Sequence, residues 1–265
     1  MPKNSLQQRL VFLRDLAAEA ASLALTYVKK GAQNWDKSDG SPVTEADLAL
    51  DQLIRQHISS RYPGEALLTE EGKDEASRLN NPWVWIVDPI DGTKEFIAGI
   101  PEYSVMIGLS HNGLAIAGAI AIPGTGELFS GAIGLGVSVE KPNAPPFLLK
   151  HPLPSPSKLL VSRTNRDPRI VDLSAHLELE ALPCGSVGTK ICRMIDGTAR
   201  GYATRTTVSE WDCCAADALM RACGGRLLDG AGRERLYNQA DVLVPGIIAF
   251  FDDEPGDRCR AFLQK

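Results

Sequence analysis

Apolar residues near the start of the chain recur at positions 6, 10, 13, 17, 20, 24 and 28, the three-four spacing of one helical face. A packing helix over Ser5 to Lys30 follows, with Ser5 and Gln8 as a capping box and Lys29, Lys30 and Gly31 closing its far end. After a polar loop at Lys37 to Ser41, a second helix starts at Thr44, carries Asp47 three residues on, and runs to about Arg61, where Tyr62, Pro63 and Gly64 stop it. Ala66 to Thr69 reads as a short strand ending in Glu70 and Glu71. Trp83 to Val87 is apolar, β-branched and aromatic, a buried strand that should stop at Asp88 and Pro89. Thr93 to Ile97 makes one helical turn. Tyr103 to Ser110 and Leu114 to Ile122 form a hairpin around His111, Asn112 and Gly113, and Glu127 to Glu140 continues as Gly-interrupted strand, together an antiparallel sheet.

Lys141 to Pro156 breaks this pattern with prolines at 142, 145, 146, 152, 154 and 156, a stiff connection between an α+β half, residues 1–155, and a second half, residues 156–265. Beyond it the pattern alternates: strand at Leu159 to Ser162, helix near Pro168 to Leu177, loop at Pro183 to Ser186, helix to about Asp196, strand at Gly201 to Thr204. Ser209 to Gly225 is a capped helix ending at Gly224 and Gly225. That alternation predicts an α/β fold.

Composition narrows the function. The 265 residues are 44% hydrophobic and 23% charged, ordinary for a globular chain with a large core. A net charge of −5 argues against nucleic acid as a partner, so an anionic ligand must be held by local cations or metal ions. No apolar run spans a membrane, and the polar start MPKNSLQQRL lacks a signal peptide's apolar region, which makes the cytoplasm the expected location. The cysteines form no CxxC pair and the four histidines are scattered, so reduced thiols are expected and a His-based site has little support.

The chemistry concentrates after the Trp83 strand. Asp88 and Asp91 sit three residues apart where a strand's carboxyl end leaves a sheet, and Pro89 frees the Ile90 carbonyl to turn inward. Magnesium takes oxygen ligands, often one or two carboxylates with substrate phosphate oxygens. The helical turn after Gly92 offers backbone N–H groups to a phosphate. Taken locally, Asp47 and Asp212 are first-turn acids favoured by the helix dipole, and Glu70 with Glu71 is a solvated loop.

The string DPIDGTKEF resembles the signature of the inositol monophosphatase superfamily, lithium-sensitive magnesium phosphatases of small phosphate monoesters, and its Lys94, Glu95 and Phe96 are most similar to the 3'(2'),5'-bisphosphate nucleotidases. Two further motifs stand in the family's order. Asp39, Ser41, Pro42, Val43, Thr44, Ala46 and Asp47 match a DxSPVTxAD pattern, and Trp211 and Asp212 with Gly224 and Gly225 match a Trp-Asp signature, with Cys214 where Ala is usual. The resemblance implies a layered αβαβα sandwich of the inositol monophosphatase and sugar phosphatase type, a possible homodimer, and two or three Mg2+ ions. It implies Glu70, Asp88, the Ile90 carbonyl, Asp91 and Asp212 as metal ligands, and Asp47, Glu70 and Thr93 as the groups that aim water. It implies Gly92, Thr93, Gly185, Ser186, Lys190 and Asp212 as the substrate contacts. The expected substrate is adenosine 3',5'-bisphosphate, cleaved at its 3'-phosphate. An inositol or sugar phosphate is the alternative, and a metal-binding scaffold protein is the non-enzymatic one.

Overall fold

The computed structural model describes residues 3–149, 157–165 and 167–264. In chain order the elements are α1 (Lys3–Lys30), β1 (Asn34–Asp36), β2 (Pro42–Thr44), α2 (Glu45–Arg61), β3 (Ala66–Thr69), β4 (Trp83–Asp91), α3 (Thr93–Ile97), β5 (Ser104–His111), β6 (Leu114–Ile122), β7 (Glu127–Ala132), β8 (Gly136–Glu140) and β9 (Phe147–Leu149). There follow β10 (Lys158–Ser162), α4 (Pro168–His176), β11 (Glu180–Cys184), α5 (Val187–Ile195), β12 (Gly201–Ser209), α6 (Glu210–Ala222), β13 (Arg226–Asp229), β14 (Leu243–Phe250) and α7 (Asp253–Leu263).

The strands β3 to β9 form one sheet in sequence order, antiparallel except for the β3–β4 pair, and a second sheet runs β11-β10-β12-β14-β13. Helices α1 and α2 cover one face of the first sheet through Leu13, Leu50, Ile54 and Trp85. Its other face meets α5 and α6, which lie between the sheets in a core that includes Met106, Ile120, Ile191 and Leu219. Helices α4 and α7 close the far side of the second sheet over Leu159, Leu173 and Phe250. The result is the mixed, layered αβαβα arrangement that the resemblance implies. All six cysteines are buried free thiols, and no described helix is long and apolar enough to cross a membrane.

Several local expectations change. Helix α1 already includes Lys3, so Ser5 lies inside it rather than at its cap. Strand β4 does not stop at Val87 but continues to Asp91, with its register against β5 shifting between Asp88 and Asp91. Pro89 has no N–H to give a ladder, and a bulge is where a sheet tolerates that loss. Pro183 and Cys184 belong to β11, an edge strand, where a proline is likewise tolerated. Within the Pro-rich stretch, Phe147–Leu149 pairs with β8, and residues 150–156 lie outside the described residues.

Helix α6 sits directly on the first sheet because β5 and β6 carry glycine under it. A Cβ on Gly118 would stand 2.7 Å from the Ala215 carbonyl oxygen, and one on Gly108 2.7 Å from the Ala215 nitrogen. Backbone atoms cannot swing aside, so Gly118→Ala should lift α6, with a loss of about 1–3 kcal/mol in urea unfolding. Because Asp212 stands one turn from Ala215, activity should fall with stability. An unchanged unfolding midpoint would contradict this packing argument.

Candidate active and metal site

Four elements deliver acids to one place: the end of β4 brings Asp88 and Asp91, the starts of α2 and α6 bring Asp47 and Asp212, and the end of β3 leads to Glu70. One carboxylate oxygen from each of Asp88, Asp91 and Asp212 falls in a group whose members all lie within 4.8 Å of one another. Asp88 is 1% and Asp91 7% exposed, and Asp212 is partly buried. Burial first, then the neighbouring carboxylates, pushes all three above the usual carboxylate range, Asp212 to about 8. The buried Oδ1 of Asp88 has no hydrogen-bond partner among the described residues. Such an atom is costly unless something else satisfies it.

Helix capping and site-building prove compatible, because each acid has two oxygens. Asp47 Oδ2 accepts from the Thr44 N–H at 2.8 Å and closes a capping box, while its Oδ1 lies 3.4 Å from Thr93 Oγ1. Asp212 Oδ2 accepts from the Ser209 N–H at 2.6 Å at the start of α6. Asp91 Oδ2 accepts from the Gly188 N–H at 2.7 Å and from Ser186 Oγ, which ties β4 to α5 and leaves its other oxygen for the site. Thr93 Oγ1 also stands 3.2 Å from the Ile90 carbonyl, so its proton is directed at Asp47 or Ile90.

Glu70 lines the cleft beside these groups. Its charge contributes to raising Asp47, Asp88, Asp91 and Asp212. Lys37 Nζ binds Glu70 Oε1 at 2.8 Å and Glu71 Oε1 at 2.6 Å. Burial and the neighbouring Glu70 raise Glu71 to about 7, although Lys37 opposes the shift.

The opposite wall comes from the turn before α5. Ser186 holds φ 55°, a left-handed backbone that a non-glycine residue keeps only where its surroundings fix it. Here Asp91 and Ser104 Oγ bind its hydroxyl, and its carbonyl accepts from Lys190 Nζ at 2.9 Å. Lys190 is 4% exposed, with its ammonium 5.1 Å from the Tyr202 ring centre. Burial lowers its pKa, against the opposing pull of Cys184 and Asp91. Glu102 Oε2 accepts from the Gly185 N–H at 2.6 Å while the Arg163 guanidinium binds both Glu102 oxygens. Gly185 is required there, since a Cβ would stand 2.5 Å from Glu95 Cγ.

These walls enclose a cleft of about 320 Å³ lined by Glu70, Asp91, Thr93, Ser186, Lys190 and Asp212, among others. Gly92, Gly185 and Glu95 also line it; Asp47, Asp88 and the Ile90 carbonyl adjoin it through the contacts above. Residues not singled out from the sequence join them. Lys37 stands in what reads as a polar loop, and Ser104, Glu102 and Arg163 carry no local signal, because their partners lie far away in the chain. Glu95 was visible only as part of the KEF string.

The chain matches the model of the inositol monophosphatase family over residues 5–252. It is 33% identical over 230 residues to a histidinol-phosphatase of Chlorobaculum parvum, covering 84% of this chain and 86% of that protein. It is 26% identical over 251 residues to the 3'(2'),5'-bisphosphate nucleotidase CysQ of Aggregatibacter actinomycetemcomitans, covering 92% and 93%. Among solved structures, CysQ from Bacteroides thetaiotaomicron superposes with a TM-score of 0.80 at 26% identity, covering 93% of this chain and 98% of that one.

Proposed function

Because the chain belongs to the inositol monophosphatase family, we propose that it is a magnesium-dependent phosphatase that removes the 3'-phosphate of adenosine 3',5'-bisphosphate. The observation that carries the metal dependence is the Asp88–Asp91–Asp212 cluster with its unpartnered buried oxygen. An all-oxygen donor set suits a hard cation, and positive charge offsets the burial and the mutual repulsion that raise these acids above the usual carboxylate range. Glu70, Asp88 and the Ile90 carbonyl would hold one ion, and Asp88, Asp91 and Asp212 another. Bound there, magnesium supplies a lowered pKa for water and charge neutralisation on the phosphoryl oxygens.

The chain's own groups do the orienting. With its proton directed at Asp47 or Ile90, Thr93 Oγ1 has lone pairs free to accept a hydrogen bond from a water in the cleft, so that Thr93, oriented by Asp47, and Glu70 would aim that water at phosphorus. The N–H groups of Gly92 and Thr93 would receive phosphate oxygens, and Gly185, Ser186 and Lys190 would face the rest of the substrate. The two halves, residues 1–155 and 156–265, then meet across the cleft.

The nucleotide reading is supported by the DPIDGTKEF string and by the likeness to CysQ proteins. A second reading, histidinol phosphate, has the 33% identical relative in its favour. Phosphate release with magnesium should be compared for adenosine 3',5'-bisphosphate, histidinol phosphate and inositol 1-phosphate. The expected result is a kcat/KM at least about tenfold higher for the bisphosphate, about 1.4 kcal/mol of discrimination. A preference for either other ester overturns the substrate, and magnesium binding without hydrolysis of any ester favours a scaffold.

A further inference from the structure

Beside the cleft lies a second cavity of about 230 Å³, sharing Ser162, Asn165 and Thr204 with it as a common wall. Its position follows from topology. Strand β10 is parallel to both β11 and β12, yet the chain leaves β10 into α4 on the outer face and leaves β11 into α5 on the inner face. Helices that depart to opposite faces open a crevice at the carboxyl ends of the strands, where such sheets take ligands. The phosphate-side turn, Gly185 to Lys190, occupies the inner side of that crevice, and the second cavity occupies the side toward α4.

The lining is of two kinds. Val171, Ala181 and Pro183 present aliphatic surface, backed by the buried Val161, Ile170 and Ala203, while Ser162, Asn165, Asp167 and Thr204 are polar. Asp167 is engaged already, by the Arg169 N–H at 2.9 Å and by Arg205 at 3.3 Å. Asn165 Nδ2 donates to Thr206 Oγ1 at 2.8 Å, and the Asn165 N–H donates to Ser162 Oγ at 3.0 Å, which sets the polar wall in place. A polyol would put hydroxyls against the aliphatic walls with nothing to receive them, and an alkyl group would mask the amide and hydroxyls. A flat ring with apolar faces and polar edges satisfies both. We propose that this cavity binds the heteroaromatic ring of the substrate's leaving group, a purine or an imidazole, and so selects against inositol phosphates. This rests on the reading above for the place of the phosphate, which the shared wall puts next door.

The test uses the magnesium-loaded protein, with calorimetric binding of adenosine 5'-phosphate, histidinol phosphate and ribose 5-phosphate. Val171 is 50% exposed, so Val171→Trp can fill the cavity without loading the core, and Ala181→Phe, from the edge strand, fills it independently. Wild type should bind one ring-bearing ligand at least about tenfold tighter than ribose 5-phosphate. Both variants should remove that advantage while leaving ribose 5-phosphate affinity and thermal midpoint unchanged. Tightest binding by the nucleotide identifies a purine, and by histidinol phosphate an imidazole. Equal affinity for ringed and ringless ligands, or a preference that survives in a folded filled variant, overturns the assignment. Ring preference without bisphosphate hydrolysis leaves the cavity standing and removes the nucleotidase, whereas hydrolysis without ring preference does the reverse.

Discussion

Asp91→Asn is expected to lower kcat for phosphate release by about 10³-fold, the scale on which a lost charge-stabilising group acts in an enclosed site. The substitution should spare the fold. Asn can keep an oxygen toward the Gly188 N–H and Ser186 Oγ, the contacts that join β4 to α5. Its amide nitrogen then faces the cluster, where it offers donors in place of a ligand. Removing one negative charge also relieves Asp88 and Asp212, which Asp91 raises. Metal-free stability should therefore be equal or higher, and magnesium affinity lower, measured by thermal unfolding in chelator and by titration calorimetry. Near-wild-type turnover would remove Asp91 from the site.

The largest effect on stability is expected from pH and metal together. Asp88, Asp91 and Asp212 have folded-state pKa values above those of free carboxylates, so between about pH 4, where an unfolded Asp ionises, and about pH 8, where folded Asp212 does, the native state binds more protons. Stability from these groups is present at the acid end and lost as pH rises. In chelator the thermal midpoint should fall from pH 5 to pH 8 more steeply for wild type than for Asp212→Asn, which can still accept from the Ser209 N–H. Magnesium at about 100 times its Kd should restore about 2.7 kcal/mol at pH 8. Identical slopes in the two proteins would show that Asp212 does not titrate above the free carboxylate range in the native state, and no rise in midpoint with magnesium would remove the metal site.

Much of the first half was legible because its signals are local. The three-four spacing of α1, the Thr44–Asp47 start of α2 and the hairpin at His111 to Gly113 each lie within a few residues. Pro89 by itself predicts a strand end, and only the pairing with β5, against which β4 carries an extra residue between Asp88 and Asp91, reveals the bulge that accepts it. Pro183 misled for the same reason, since an edge position cannot be seen from the residue itself. In the site, the acids at 47, 88, 91 and 212 stood out through motif strings, whereas Lys37, Glu102 and Arg163 did not.

By itself the sequence determined the helix starts and the hairpin at His111 to Gly113, which faces are apolar, and that acids close β4 and begin two helices. Those properties are set by neighbours along the chain, through propensity, periodicity and capping. Only the tertiary structure decided that α6 lies close enough to β5 and β6 to put Asp212 against Asp88 and Asp91, and that Lys37 and Arg163 each meet a carboxylate. Contacts between residues far apart in sequence depend on the packing of whole layers, and a single side chain carries no mark of the partner it will meet.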